Sequence, residues 1–178
     1  EGGRMSSLDV LGPQLAVLIA AGLILAIEAL MPQQRKVFPF VALIGLGASA
    51  AWTLAWIARN ELPKGLFDGT FVLDDYAAFF YLVFAGITAT VVLASIDWVN
   101  HEGRGQAEYY SLVLTVCSGL MLLAGARDLI TIFVALELSS IPQYILAGWG
   151  KDRKSSEAGM KYLLLGAIAS SLLLYGMA

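Results

Sequence analysis

The sequence predicts an all-α fold, a polytopic bundle of six transmembrane helices, from two observations. Of the 178 residues, 58% are hydrophobic and only 14% are charged, whereas about 25% of the residues of a soluble domain are charged. The hydrophobic residues also form six segments, most of them near the roughly 20 residues that a helix needs to cross a bilayer. The protein is therefore predicted to be a multi-pass integral membrane protein surrounded by lipid.

Polar connections separate the six segments and set their approximate bounds. The segments are predicted at about residues 8–30, 37–58, 76–96, 109–124, 128–148 and 157–178. Only a short polar turn separates the fourth from the fifth, so these two helices are predicted to form a tight antiparallel hairpin. Ser155, Ser156 and Glu157 are predicted to cap the sixth helix, because serine at the N-cap accepts hydrogen bonds from the first free amides.

The distribution of lysine and arginine between alternate connections predicts the orientation. One side collects six of these residues and the other collects four, and the richer side is expected to be cytoplasmic. The richer side contains Arg35, Lys36, Arg104, Lys151, Arg153 and Lys154, and the other contains Arg4, Arg59, Lys64 and Arg127. The N-terminus is therefore predicted to lie outside.

Charge and cysteine content exclude several classes of function. The net charge is only −3 and no basic stripe is present, so a nucleic-acid partner is not expected. A single cysteine, Cys117, and a single histidine, His101, provide neither a disulfide nor a metal-binding cluster. No glycine-rich phosphate loop is found either, so the chain itself is predicted to bind no cofactor and no metal.

Three charged residues fall within the predicted spans, namely Glu28, Glu137 and Lys161. A charge at the centre of a bilayer costs at least about 3 kcal/mol and by default indicates a functional site. Glu28 lies close enough to the end of its span to reach the headgroups. Lys161, about one turn into its predicted helix, has a long stem that can extend to the interface. Both a functional role and a simple interfacial position therefore remain open for it.

Glu137 has no such route to water, because it lies about 13 Å from either end of its helix. It is therefore the main candidate for a functional residue, with a purely structural contact between helices as the alternative. Pro142 leaves the Leu138 carbonyl without its usual donor, and Ser139 and Ser140 are close enough to bond freed backbone groups.

The depths of Glu137 and Lys161 bear on whether they pair. Measured from the connection between their helices, they are predicted to lie about 10 Å apart along the membrane normal. A direct salt bridge is not expected, and a water-linked relay remains open. Burial favours the neutral form of a carboxyl group and a nearby ammonium favours the charged form, so such a pair suits proton transfer.

Two sequence blocks resemble a known family. Residues 128–146, DLITIFVALELSSIPQYIL, resemble the glutamate-bearing helix of the antiporter-like membrane subunits of respiratory complex I. Residues 155–167, SSEAGMKYLLLGA, resemble the next helix of that family, which carries a lysine. In this order and spacing, the blocks are most similar to the subunit N type of NADH:quinone oxidoreductase, and the match is best over residues 108–178.

The resemblance implies a larger fold than this chain provides. Members of the family have about fourteen helices that include two inverted five-helix repeats. By this comparison, residues 1–108 would form three lead helices, and residues 109–178 would begin the first repeat with helices four to six. The chain would then be an N-terminal fragment that lacks the family's later lysine-bearing helices.

The resemblance also implies a function: a proton-translocating subunit of a redox-driven pump. Glu137 would be the central element of the proton path, and Lys161 would line the same path. The chain would act as part of a translocase without a redox centre of its own. Quinone, NADH, FMN and iron–sulfur clusters would belong to partner subunits, and other membrane subunits, including antiporter-like neighbours, would be its partners. The membrane would be a bacterial inner membrane.

Two alternatives to this function remain. One is a subunit of a multisubunit Mrp-type cation/proton antiporter or of an energy-converting hydrogenase, since these share the glutamate-bearing helix. The other is a non-catalytic membrane scaffold in which Glu137 only fixes helix packing.

Overall fold

The described part of the chain forms six long α-helices joined by short connections. A computed structural model describes residues 10–31, 35–60, 62, 64–66, 69–102 and 105–178. The helices are α1 (Gly12–Leu30), α2 (Phe38–Ala58), α3 (Asp75–Glu102), α4 (Gln106–Gly125), α5 (Leu129–Ala147) and α6 (Arg153–Met177). Each is long and apolar enough to cross a membrane. The predictions of an all-α class and of six membrane helices are confirmed, and the protein is a multi-pass integral membrane protein.

Two predicted helix boundaries are wrong. Helix α3 continues to Glu102, so the segment from Asp97 to His101 is helical, because the sequence contains no glycine or proline between Gly86 and Gly103. Helix α6 begins at Arg153 because Asp152, and not the predicted serine cluster, is its N-cap.

The Asp152 carboxylate accepts a hydrogen bond from the Ser155 amide at 2.6 Å, which satisfies one of the free donors at the start of α6. The predicted start of the first helix at Leu8 and the predicted loop residues Arg4 and Arg104 lie outside the described residues.

A β-hairpin occupies the connection between α2 and α3, where the sequence analysis predicted only a polar connection. Strand β1 (Lys64–Leu66) pairs antiparallel with strand β2 (Phe71–Leu73). Phe71 also forms a bridge with Ala126 in the turn between α4 and α5, and the Arg127 amide in that turn donates to the Thr70 carbonyl at 2.9 Å. The hairpin therefore joins two connections at one end of the bundle.

An ion pair strengthens this junction. Arg127 Nη2 lies 2.8 Å from Asp74 Oδ2, just before the start of α3. Because both side chains are partly exposed, the pair fixes geometry more than it adds stability. It ties the start of α5 to the first three helices.

Aromatic rings gather at the opposite end of the bundle. Trp149, just after α5, packs against Trp98 of α3 with ring centroids 5.2 Å apart and against Tyr109 of α4 at 5.4 Å. The connections α3–α4 and α5–α6 therefore share one end, while the hairpin and the α4–α5 turn share the other. The count of lysine and arginine residues on the two sides of the membrane assumed this same alternation of connections.

The core lies among the first four helices, and α5 and α6 pack on the outside of this core, one after the other. The largest fully buried side chains include Ile24, Phe38, Tyr81 and Leu114. Helix α5 packs on α4, and α6 packs mainly on α5, with Gly159 as its one buried residue. Helix α5 is therefore enclosed on the α4 side and open to α6 on the other.

Candidate functional site

Glu137 lies at the middle of α5, as predicted. It is the ninth of 19 helical residues, about 12 Å from the start of the helix. Its side chain is half-buried. Three contacts of α5 determine its surroundings: the N-cap at Asp128, the packing against α4 and the packing against α6.

The N-cap fixes where α5 begins. The Asp128 carboxylate accepts hydrogen bonds from the Ile130 amide at 2.9 Å and the Thr131 amide at 3.0 Å, and it also accepts one from the Thr131 hydroxyl. Chiefly through the Thr131 hydroxyl, these bonds hold the pKa of the Asp128 carboxyl group below its usual value. The carboxylate is therefore charged at neutral pH, where it also complements the positive end of the helix dipole.

We expect replacement of Asp128 with alanine to lower the thermal unfolding temperature of the protein in mild detergent at neutral pH. Because the folded-state pKa is lowered, the stabilisation is complete above the ordinary aspartate pKa and decreases as the pH falls through the folded value. The difference between wild type and Asp128→Ala should therefore shrink in acid. Asp128→Asn, which retains an acceptor oxygen, should stay close to wild type at neutral pH; an equal loss with asparagine would contradict the capping role.

Helix α4 approaches α5 very closely beside Glu137. A Cβ atom added to Gly119 would lie 2.6 Å from the Ser139 amide nitrogen and 2.9 Å from the Leu138 carbonyl carbon. Only glycine allows this backbone contact. It leaves no room for a side chain between the two helices at this depth.

On the other side, α6 provides a hydrogen-bond donor to the carboxylate. The Ser170 hydroxyl donates to Glu137 Oε1 at 2.5 Å, across a sequence separation of 33 residues. The adjacent serine, Ser171, instead donates to the Ala167 carbonyl of its own helix. Sequence reasoning missed Ser170; the one available indication was a pair of serines in the largely apolar second half of α6.

Helix α5 continues through Pro142 to Ala147. The Ser139 hydroxyl donates to the Leu136 carbonyl at 2.9 Å and not to the Leu138 carbonyl, for which the sequence analysis considered it. The Gln143 side-chain amide donates to the Ser139 carbonyl at 3.1 Å. Polar side chains thus add hydrogen bonds to the helix around the proline.

Lys161 lies deeper in its helix than predicted, because α6 begins at Arg153. It is about 12 Å, or two turns, from the helix start. Its ammonium group forms an ion pair with Glu157, one turn earlier, at 2.6 Å, and the side chain is 70% exposed. Glu137 and Lys161 thus have different partners, and Ser170 lies about 13 Å beyond Lys161 along α6.

Polar groups occupy the α5–α6 interface between these two residues. The Tyr162 hydroxyl donates to Gln143 Oε1 at 3.2 Å, and the Tyr162 ring packs edge-on against Tyr144 with centroids 4.8 Å apart. The Tyr144 hydroxyl fills the space left by Gly166, where a Cβ atom would overlap it. Tyr162, Gly166 and Ser170 are spaced by four residues and so share one face of α6.

Within the described ranges, no group of three histidine, cysteine, aspartate or glutamate side chains could hold a metal ion. His101 lies exposed on α3 and Cys117 is buried in α4. The absence of a cofactor stays a prediction.

A family model described as NADH:quinone oxidoreductase/Mrp antiporter, transmembrane, matches residues 126–178, which include both Glu137 and Lys161. The chain is also 39% identical over 171 residues to NADH-quinone oxidoreductase subunit N of Dehalococcoides mccartyi, covering 96% of this chain. It is 38% identical over 170 residues to NAD(P)H-quinone oxidoreductase subunit 2 of Gloeobacter violaceus, covering 94% of this chain. The chain spans about a third of each relative, 35% and 33% respectively.

Solved structures share the fold. A chain of respiratory complex I from Thermus thermophilus matches with a TM-score of 0.74 and 28% identity, over 92% of this chain and 35% of that chain. A chain of the membrane-bound sulfane sulfur reductase, an archaeal respiratory membrane complex, matches with a TM-score of 0.79 and 25% identity, over 96% of this chain and 36% of that one. Both similarities extend over nearly all of the six-helix bundle.

Proposed function

We propose, from the membership of this chain in the family of antiporter-like N subunits of complex I, that it contributes part of a transmembrane proton path. The relatives are subunits of NADH-quinone oxidoreductase, an enzyme complex. In the proposed mechanism, quinone reduction elsewhere in the complex drives proton movement past Glu137. The chain acts within the translocase and holds no redox centre itself.

The observation that carries this proposal is the position of the Glu137 carboxylate. It is a half-buried acid at the centre of a membrane helix, bonded to a hydroxyl from the next helix. Placing an acid at this depth costs free energy, so by default such a residue indicates a functional site. Its position against α6 places the carboxylate on the same helix interface as the hydrogen-bonded pair of Tyr162 and Gln143.

Lys161 is the proposed second element of the path. About 13 Å separates it from the level of Ser170, so a proton would pass between them through waters and side-chain hydroxyls. Lys161 in turn pairs with Glu157, which offers a second carboxylate nearer the start of α6. Movement of the ammonium between these groups would change the field at Glu137.

The topology and setting follow as parts of the same proposal. Residues 1–108 would form three lead helices, and residues 109–178 the start of the first antiporter-like repeat. The N-terminus would lie outside and the connection after α5 in the cytoplasm of a bacterial cell. The partners would be the other membrane subunits of the complex, including its antiporter-like subunits, with NADH, FMN, iron–sulfur clusters and quinone bound by other subunits.

The test is replacement of Glu137 with glutamine in the full-length subunit within its complex, reconstituted into liposomes. Glutamine has nearly the same shape but cannot exchange a proton at neutral pH. We expect normal assembly and a proton-transfer step slowed by about a hundredfold or more. The measurement is the rate of proton translocation into the liposomes, recorded together with the rate of NADH oxidation. Glu28→Gln, near the end of α1, is the control and should translocate normally.

Undiminished proton translocation by an assembled Glu137→Gln complex would overturn the proposal. Failure of the Glu137→Gln complex to assemble, rather than a loss of translocation by an assembled complex, would favour the scaffold role instead.

A second candidate is a subunit of an Mrp-type antiporter or an energy-converting hydrogenase. The matching family model covers Mrp antiporters as well as NADH:quinone oxidoreductase, and the fold is shared with a chain of the sulfane sulfur reductase, a respiratory membrane complex other than complex I. The subunits that co-purify with the full-length chain distinguish the candidates. A redox arm with flavin and iron–sulfur subunits supports complex I, and a complex of antiporter-like subunits alone supports an antiporter.

A further inference from the structure

We infer that Ser170 is a positioning residue for Glu137, holding its carboxylate against the face of α6 that Ser170 shares with Gly166 and Tyr162. The inference rests on the proposed function and adds to it a residue that acts through Glu137.

The hydrogen bond itself is the first step of the argument. Ser170 Oγ lies 2.5 Å from Glu137 Oε1, and both side chains are half-buried. A hydroxyl that donates to a carboxylate forms a charge-assisted bond, which is shorter and stronger than a bond between neutral groups. Away from bulk water, such a bond decides where the carboxylate points.

The direction of the carboxylate is the second step. Ser170 shares a face of α6 with Gly166 and Tyr162, and the Tyr144 hydroxyl lies against Gly166. Holding Glu137 to this face places an acceptor four residues, about 6 Å along the helix axis, from the level of Gly166. Waters can bridge polar groups that lie beyond direct hydrogen-bond distance. Without the Ser170 hydroxyl, the flexible Glu137 side chain loses the contact that holds it against this face of α6.

The neighbouring serine shows that a hydroxyl on this part of α6 need not serve Glu137. Ser171 is exposed, and its hydroxyl donates to the Ala167 carbonyl at 2.7 Å. The two serines have the same side chain and adjacent positions along α6, but their hydroxyl groups donate to different acceptors. Ser171→Ala is therefore a control for loss of a hydroxyl from α6.

The test uses the full-length subunit in its complex, reconstituted into liposomes, with the rate of proton translocation as the readout, recorded together with the rate of NADH oxidation. We expect Ser170→Ala to slow proton transfer by about tenfold, the scale of one hydrogen bond to a charged group. Ser171→Ala should stay at the wild-type level. Ser170→Thr, which keeps the hydroxyl, should recover most of the loss.

A double-mutant cycle separates positioning from packing. If Ser170 acts through Glu137, Ser170→Ala should cause no further loss in a Glu137→Gln background, whereas a packing role would add its own loss. Wild-type translocation by Ser170→Ala, or an additional loss in the glutamine background, would overturn the inference.

Infrared difference spectroscopy of the carboxyl band gives a readout that does not depend on pumping. The band that disappears in Glu137→Gln should shift in Ser170→Ala and keep its position in Ser171→Ala, because only Ser170 bonds the carboxylate. An unshifted band would overturn the inference. A shifted band together with normal translocation by Glu137→Gln would instead refute the proposed function while leaving the bond intact.

Discussion

Replacement of Gly119 with alanine is expected to force α4 away from α5 and to lower the free energy of unfolding by about 1–3 kcal/mol. The added methyl group would lie 2.6 Å from the Ser139 amide nitrogen. The atoms it meets belong to backbone, so no side-chain rotation can relieve the overlap. The strain falls within two residues of Glu137, and proton translocation should decrease as well.

Gly22 provides the matched control for this substitution. It lies within α1, and a Cβ atom added there would have no neighbour within 4 Å. Gly22→Ala should therefore leave stability unchanged or raise it by up to about 1 kcal/mol, because alanine restricts the unfolded chain. Unfolding of the full-length protein in mixed detergent micelles measures both. Equal stability of Gly119→Ala and wild type would contradict the close approach of α4 and α5.

Replacement of Gly159 with alanine should have the second large effect, at the contact between α5 and α6. The added methyl would lie 2.9 Å from Gly148 Cα and 3.0 Å from the Gly148 nitrogen. Among the described residues α6 packs mainly on α5 and Gly159 is the buried residue of α6, so the added methyl group would disturb the main contact between these two helices. We expect a loss of about 1–3 kcal/mol in unfolding free energy, with lower proton translocation through disturbance of the Ser170–Glu137 bond.

The partner glycine in the same contact is the control. A Cβ atom on Gly148 would lie 3.7 Å from Gly159 Cα, an ordinary van der Waals distance. Gly148→Ala should therefore be tolerated while Gly159→Ala is not. The comparison is made by thermal unfolding in detergent and by translocation in liposomes; similar losses for the two variants would show that the contact is not the cause.

The features that could be predicted from the sequence are those that depend on long apolar runs. Each run had to become a helix because lipid offers no partner for free backbone groups, and this fixed the six helices and the α4–α5 hairpin. The central position of Glu137 followed from counting along one such run. The use of Glu137 and Lys161 in proton transfer stays a prediction.

Features that depend on the rotation of a helix about its axis could not be predicted. A helix that is apolar on nearly every face gives no periodic indication of which residue meets its neighbour. The Ser170–Glu137 bond was missed for this reason. The strands of the β-hairpin, three residues each, were too short for a period of two to be visible, and the Asp152 cap was hidden among equally suitable capping residues.

The junction made by the hairpin has a mechanical consequence for Glu137. Through Phe71 and Ala126, and through Arg127 and Asp74, the start of α5 is fastened to the lead helices, whereas α6, among the described residues, packs mainly on α5. A slide of α6 by one helical turn, about 5.4 Å, would bring Gly166 or Leu174 opposite Glu137 in place of Ser170. Neither residue has a side chain that donates a hydrogen bond. Such a displacement of α6 would therefore remove the hydrogen-bond donor from the Glu137 carboxylate.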